Sequence, residues 1–143
     1  MTTNVAIVDA MASQIETQLG SAIPNLQVVG RLNFNPTPPS VDIYPAEEFS
    51  VADTYGERRL RWSVRCRVTT ADNEDGQELL LSMMDSPGAS TSSLAGAIAY
   101  DESLGGTVDR AWVESGPTGF SMFADAGGGG NLVGAVWTVA VMP

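Results

Sequence analysis

The stretch Arg58-Arg59-Leu60-Arg61-Trp62-Ser63-Val64-Arg65-Cys66-Arg67-Val68-Thr69-Thr70 alternates between two chemistries. Leu60, Trp62, Val64, Cys66 and Val68 fall on one side, and Arg59, Arg61, Ser63, Arg65, Arg67 and Thr69 on the other. Successive side chains of a β-strand point to opposite faces, so this period of two predicts a strand over 58–70. One face suits a core and the other is lined with guanidinium groups. That second face has three readings: an exposed edge or face kept from aggregating by its charge, a contact with nucleic acid, or a contact with carboxylates of a neighbouring subunit. Arginine suits the last, because its planar fork binds a carboxylate through two bonds.

The segments on either side give the rest of the fold. Val5, Val8, Ala12, Ile15 and Leu19 recur at spacings of three and four, predicting a helix over 4–19 capped by Thr3 or Asn4 and ended by Gly20. Leu26 to Phe34 reads as a strand with a bulge at Gly30, followed by a proline turn. Val41-Asp42-Ile43-Tyr44 alternates and is closed by Pro45. Ala46–Gly56 is acidic, with Glu47, Glu48 and Asp53, and reads as a loop. Residues 73–85 form a second helix with the stripe Leu79, Leu80, Met83 and Met84, capped by Asp72 with Asp75 three residues on. Ser92 or Ser93 caps a short helix through Tyr100, and Gly105-Gly106 is a turn. Residues 107–115 alternate as a strand, Gly116–Asn131 is a glycine-rich loop, and Leu132–Met142 is a strand apolar on both faces and therefore central or covered. The order α-β-β-β-α-(α)-β-β predicts a single α+β domain over 1–143, with a mixed or antiparallel sheet and an N-terminal and a central helix packed on one face.

Composition limits the chemistry. The 143 residues carry a net charge of −10, and all seven positive charges are arginine. A chain of this length buries about two-thirds of its unfolded surface and needs no staple. Without histidine there is no Ser-His-Asp triad and no imidazole metal site, and without lysine no P-loop cation and no Schiff base. Cys66 is the only cysteine, so an intrachain disulfide and a cysteine-rich zinc site are excluded. The acidity opposes binding to a phosphate backbone. No apolar run approaches the roughly 20 residues of a membrane span, and the N-terminus has no secretory pattern.

No short motif points to a reaction. Gly127–Gly130 has neither the helix nor the lysine of a phosphate loop. Setting Gly76 at the invariant glycine of a calcium loop puts Ala71 and Ser82 where carboxylates belong. Cys66 sits among apolar neighbours as an inert thiol. Glu47-Glu48 and Asp101-Glu102 have acid–base chemistry available but no cleft beside them, and read as solvated turns. These readings give no catalytic residue, cofactor or metal.

The order of the segments does carry a resemblance. A start helix leads to Pro38-Pro39-Ser40-Val41-Asp42-Ile43-Tyr44-Pro45, then to the arginine strand, then to Gly76-Gln77-Glu78-Leu79-Leu80 and Met83-Met84-Asp85. Ser92–Ile98, Leu104-Gly105-Gly106-Thr107-Val108 and the apolar last strand complete it. This resembles the tail terminator and minor tail proteins of long-tailed phages, especially those of actinobacterial hosts, over nearly the whole chain. The resemblance implies a structural virion protein without enzymatic activity or cofactor. It implies a closed hexameric ring at the head-proximal end of the tail, assembled in the host cytoplasm. Such a ring ends polymerisation of the tail tube protein, meets the head–tail connector or completion protein, and lets genomic DNA pass its lumen unbound. Arg59, Arg61, Arg65 and Arg67 with Glu47 and Glu48 are then the expected subunit contacts. Reversing Arg65 and Arg67 to glutamate is expected to weaken assembly and spare the fold. The alternatives are another neck protein of similar fold, or a small ligand-binding domain or enzyme using carboxylates with Arg65 or Arg67.

Overall fold

A computed structural model of the chain describes residues 3–33, 39–52, 58–69, 74–118, 121–124 and 131–143. The elements run α1 (Asn4–Gly20), β1 (Gln27–Val29), β2 (Ser40–Ala52), β3 (Arg58–Thr69), α2 (Glu74–Met83), α3 (Leu94–Ala99), β4 (Arg110–Ser115), β5 (Ser121–Ala124) and β6 (Asn131–Met142). The strands form one sheet in the order β1-β2-β3-β6-β4, with β5 also on β6. β1 is parallel to β2 and every other pairing is antiparallel, so the chain is α+β with a mixed sheet. The expected cap of α2 at Asp72, the side chain of Asp75 and the loop at Gly127–Gly130 lie outside what is described.

The alternation of β3 becomes its two faces. Trp62, Val64, Cys66 and Val68 are buried in one core with Val41 and Ile43 of β2 and Ala135, Trp137, Val139 and Val141 of β6. The helices cover this face. α1 contributes Ile7, Val8, Met11, Ile15 and Leu19, α2 Leu80 and Met83, and α3 Leu94, Ala97 and Ile98. Each valine, leucine, isoleucine or methionine side chain withdrawn from water is worth about 1.5–3 kcal/mol, and this apolar burial holds the layers together. Val5, expected in the stripe of α1, instead points out. Gln14 ties α1 to α3: its Nε2 donates to the carbonyls of Ala97 at 2.8 Å, Asp101 at 3.1 Å and Ile98 at 3.2 Å. The Ala97 and Ile98 carbonyls belong to the last turn of α3, where a helix leaves such groups without an intrahelical partner.

Several boundaries differ from the expectations. α1 runs through Gly20, and Ser21 is its cap. Of the strand expected over 26–34, Gln27–Val29 alone pairs among the described residues, and it runs parallel to Ser40–Asp42. β2 does not stop at Pro45. It continues to Ala52 through the presumed loop, and the register against β3 passes from Pro45↔Trp62 to Ser50↔Leu60. Ala46–Phe49 is therefore a bulge opposite Arg61. Phe49 stays anchored, with its ring edge-on to Trp62 at a centroid distance of 4.8 Å. The glycine-rich segment also holds a strand, β5, on the same edge of β6 as β4. Between them the chain turns at Gly116, where φ is +97° and a Cβ would lie 2.8 Å from the Val136 carbonyl oxygen. Only glycine fits that approach. Thr118 closes the gap by donating its N–H to the Val136 carbonyl at 2.9 Å and accepting the Val136 N–H on Oγ1 at 3.2 Å.

Candidate functional site

The helix-free face of the sheet collects the arginines. β3 is an inner strand between β2 and β6, so its guanidinium groups line a face and not an exposed edge. Register decides their partners. Asp42 lies directly across from Arg65, and Ser40 from Arg67. On the other flank Arg61, Arg65 and Arg67 oppose Ala140, Val136 and Gly134 of β6. These small or apolar residues leave room for arginine stems to lie across the sheet.

Two ion clusters result. In the first, Arg65 donates from Nε to Asp42 Oδ1 at 3.1 Å and from Nη2 to Oδ2 at 2.6 Å. Arg67 Nη2 lies 3.4 Å from the same Oδ2 and donates to the Asn33 carbonyl at 2.8 Å. The Asn33 backbone N–H donates to Asp42 Oδ2 at 3.1 Å. The Arg65 guanidinium also lies over the Tyr44 ring, 5.2 Å from its centroid. Asp42 has no exposed side-chain surface, and Arg67 only 5%. Burial lowers the Arg67 pKa from its ordinary value, with Asp42 opposing that shift. In the second cluster Arg61 reaches over β6 to Glu114 of β4, Nη2 to Oε1 at 2.6 Å, and its Nη1 meets Glu48 at 3.3 Å. Arg59 Nε comes within 3.2 Å of Glu114 Oε2 without hydrogen-bond alignment, a Coulombic contact only. Together the clusters strap β2, β3, β6 and β4 side by side.

The expected interface residues are thus brought together, but Arg59, Arg61, Arg65 and Arg67 find carboxylates within their own chain. For Arg65 and Arg67 this changes the expectation for glutamate reversal. Two glutamates beside buried Asp42 would set three carboxylates at one point, and the fold itself would suffer. Glu47 and Glu48 project from the bulge, and the Glu48 side chain is 80% exposed. With Arg61, Ser63, Glu114 and Thr138 they border an open polar cleft of about 330 Å³.

The remaining candidates have structural roles. Cys66 is fully buried, and burial first, then the negative charge of Asp42, pushes its thiol pKa well above 9.0. Such a thiol is neither nucleophile nor ligand at neutral pH. Asp101 holds a turn. Its carboxylate accepts the Ser103 hydroxyl at 2.6 Å, the Ser103 N–H at 3.0 Å and the Gly105 N–H at 3.0 Å, and these bonds draw its pKa below 3.8. Glu102 pairs with Arg110 at 2.8 Å. Among the described residues no group of three His, Cys, Asp or Glu could hold a metal ion, and no helix is long and apolar enough to cross a membrane. No family model matches the chain, and no curated protein matches it.

Sequence reasoning missed Asp42, Glu114 and Asn33. The signal for Asp42 was present: an acid alternating with Val41 and Ile43 belongs on the face opposite the core. Glu114 likewise alternates with Val113. What the sequence did not contain was the strand order that lays β6 between Arg61 and Glu114.

Proposed function

We propose that this chain is a structural subunit of a ring, hexameric by resemblance, that caps the tail tube of a long-tailed phage, ends its polymerisation and offers the head-facing joining surface. The fold is then tail-terminator-like and the location is the head-proximal end of the tail. The order of sequence segments supports this reading. The observation that carries it is the helix-free sheet face, whose arginines are latched by Asp42 and Glu114 and whose bulge presents Glu47 and Glu48 outward. A face strapped across four strands is a stiff building surface. Acids projecting from it would repel DNA passing a ring lumen.

The chemistry of the cavities favours a building block over an enzyme. A small-molecule site usually combines an apolar pocket with a few converging polar groups. Here the polar cleft beside Glu48 and the apolar groove beside Trp62 share no residue. Ring closure needs contacts between different patches on successive copies.

The test is a phage lacking this gene. A terminator's loss leaves tails of abnormal and excessive length, and supplying the protein in trans restores a fixed length. Normal-length tails unattached to heads would assign the chain to another neck position. Full infectivity of the deletion would remove it from the tail altogether.

A further inference from the structure

An apolar groove of about 410 Å³ opens between the start of α1 and the Trp62 end of β3. Val5, Val8, Leu32, Ile43, Pro45 and Trp62 line it. Val5 is 57% and Leu32 43% exposed. Single exposed apolar residues are ordinary; Val5 and Leu32 differ in lining one groove, where an entering side chain is withdrawn from water on several sides. The start of α1 gives the groove one partly positive end, and its one charged lining residue, Arg31, is already paired with Asp9. The first turn of α1 carries no acidic residue, so its end of the helix dipole is not offset there. Arg31 borders the groove and engages Asp9 and the Gly30 carbonyl through Nη1 alone among the described residues, at 3.1 Å and 2.6 Å.

The same chain carries a complementary surface on α2. Leu81 is 54% exposed. Glu78 precedes it by three residues and Asp85, in the turn that continues α2, follows by four, which puts both carboxylates beside it. Among the described residues neither carboxylate has a partner. Tyr100 is a competing apolar projection, but its neighbours Asp101 and Glu102 are occupied by Ser103, Gly105 and Arg110. The groove is lined by residues of α1, the segment after β1, β2 and β3, and none of them belongs to α2. Groove and projection are thus different patches, as a head-to-tail contact requires.

We propose that the groove receives the α2 surface of a second copy, with Leu81 in the apolar channel and Glu78 facing Arg31. This rests on the ring reading and names the contact that would build the ring. The test uses Leu32→Asp, which spoils the groove, and Leu81→Asp, which spoils the projection, both at exposed positions. By light scattering, each variant alone is expected as a single 15.0 kDa subunit. Their equimolar mixture has one intact contact and is expected at about 30 kDa, with nothing larger. Val5→Asp repeats the groove variant with a control built in, because an acid in the first turn favours α1 itself. Assembly of either Leu variant to the wild-type mass overturns this contact and leaves the ring reading standing. Wild-type protein that stays a single subunit in solution and is missing from tails overturns both.

Discussion

On its helix side, β3 sets Trp62, Val64, Cys66 and Val68 into a core held by apolar packing. On its other side, the same strand sets Arg61, Arg65 and Arg67 against Asp42, Glu48 and Glu114 at fixed distances. The apolar side tolerates exchange of one hydrocarbon for another of equal size. The charged side depends on partners: removing one leaves the other buried and unpaired, whereas removing all of them together costs little. The same strand thus shows two kinds of fragility, and substitutions can separate them.

Asp42→Ala is expected to cost about 3–5 kcal/mol, because two largely buried guanidinium groups lose their carboxylate. Denaturant unfolding measures it, and replacing Asp42, Arg65 and Arg67 together by apolar residues of similar volume should recover most of the loss. If the triple replacement is as unstable as the single one, the charged cluster is not the cause. Trp62→Ala should cost a comparable roughly 3–5 kcal/mol through a cavity, with no charge change able to repair it. Glu114→Gln weakens the bonds that cross β6 and should cost about 1–3 kcal/mol. Glu48→Gln should stay under about 1 kcal/mol, since that carboxylate is mostly in water. An equal effect at Glu48 and Glu114 would erase the distinction between latch and rim.

The smallest effect is a pH dependence on the apolar side. The Cys66 thiol has a native pKa raised well above 9.0 by burial and by Asp42. Its stabilising contribution is complete below the unfolded-state pKa and is lost as pH rises from there towards the native value, because the unfolded chain releases the proton first. Stability should therefore decline above about pH 9 in the wild type, and that component should vanish in Cys66→Val.

The sequence disclosed the parts with a strong period and hid those whose form depends on distant neighbours. β3 and β6 were legible because alternation and apolar continuity are local properties. α1 was legible too, apart from Val5 and the role of Gly20. β2 past Pro45 was not. Proline there reads as a stop, yet no described strand lies outside β2 beyond Asp42, so the missing N–H costs no ladder bond. Glu47 and Glu48 suggested a loop for the same stretch, and the bulge that carries them is set by pairing with β3. β5 was concealed by its glycine-rich surroundings. For the site, the arginine face was readable residue by residue, but its carboxylates were sought on a neighbouring copy. The register that places Asp42 opposite Arg65 supplied them from within.

The central claim is that this is a self-assembling structural part, and the mass of the purified protein and its position on tails test it most directly. Light scattering should give a closed species of about 90 kDa for six 15.0 kDa subunits, and gold-labelled antibody should mark one end of each tail. A single subunit at every concentration, together with unlabelled tails, would contradict it.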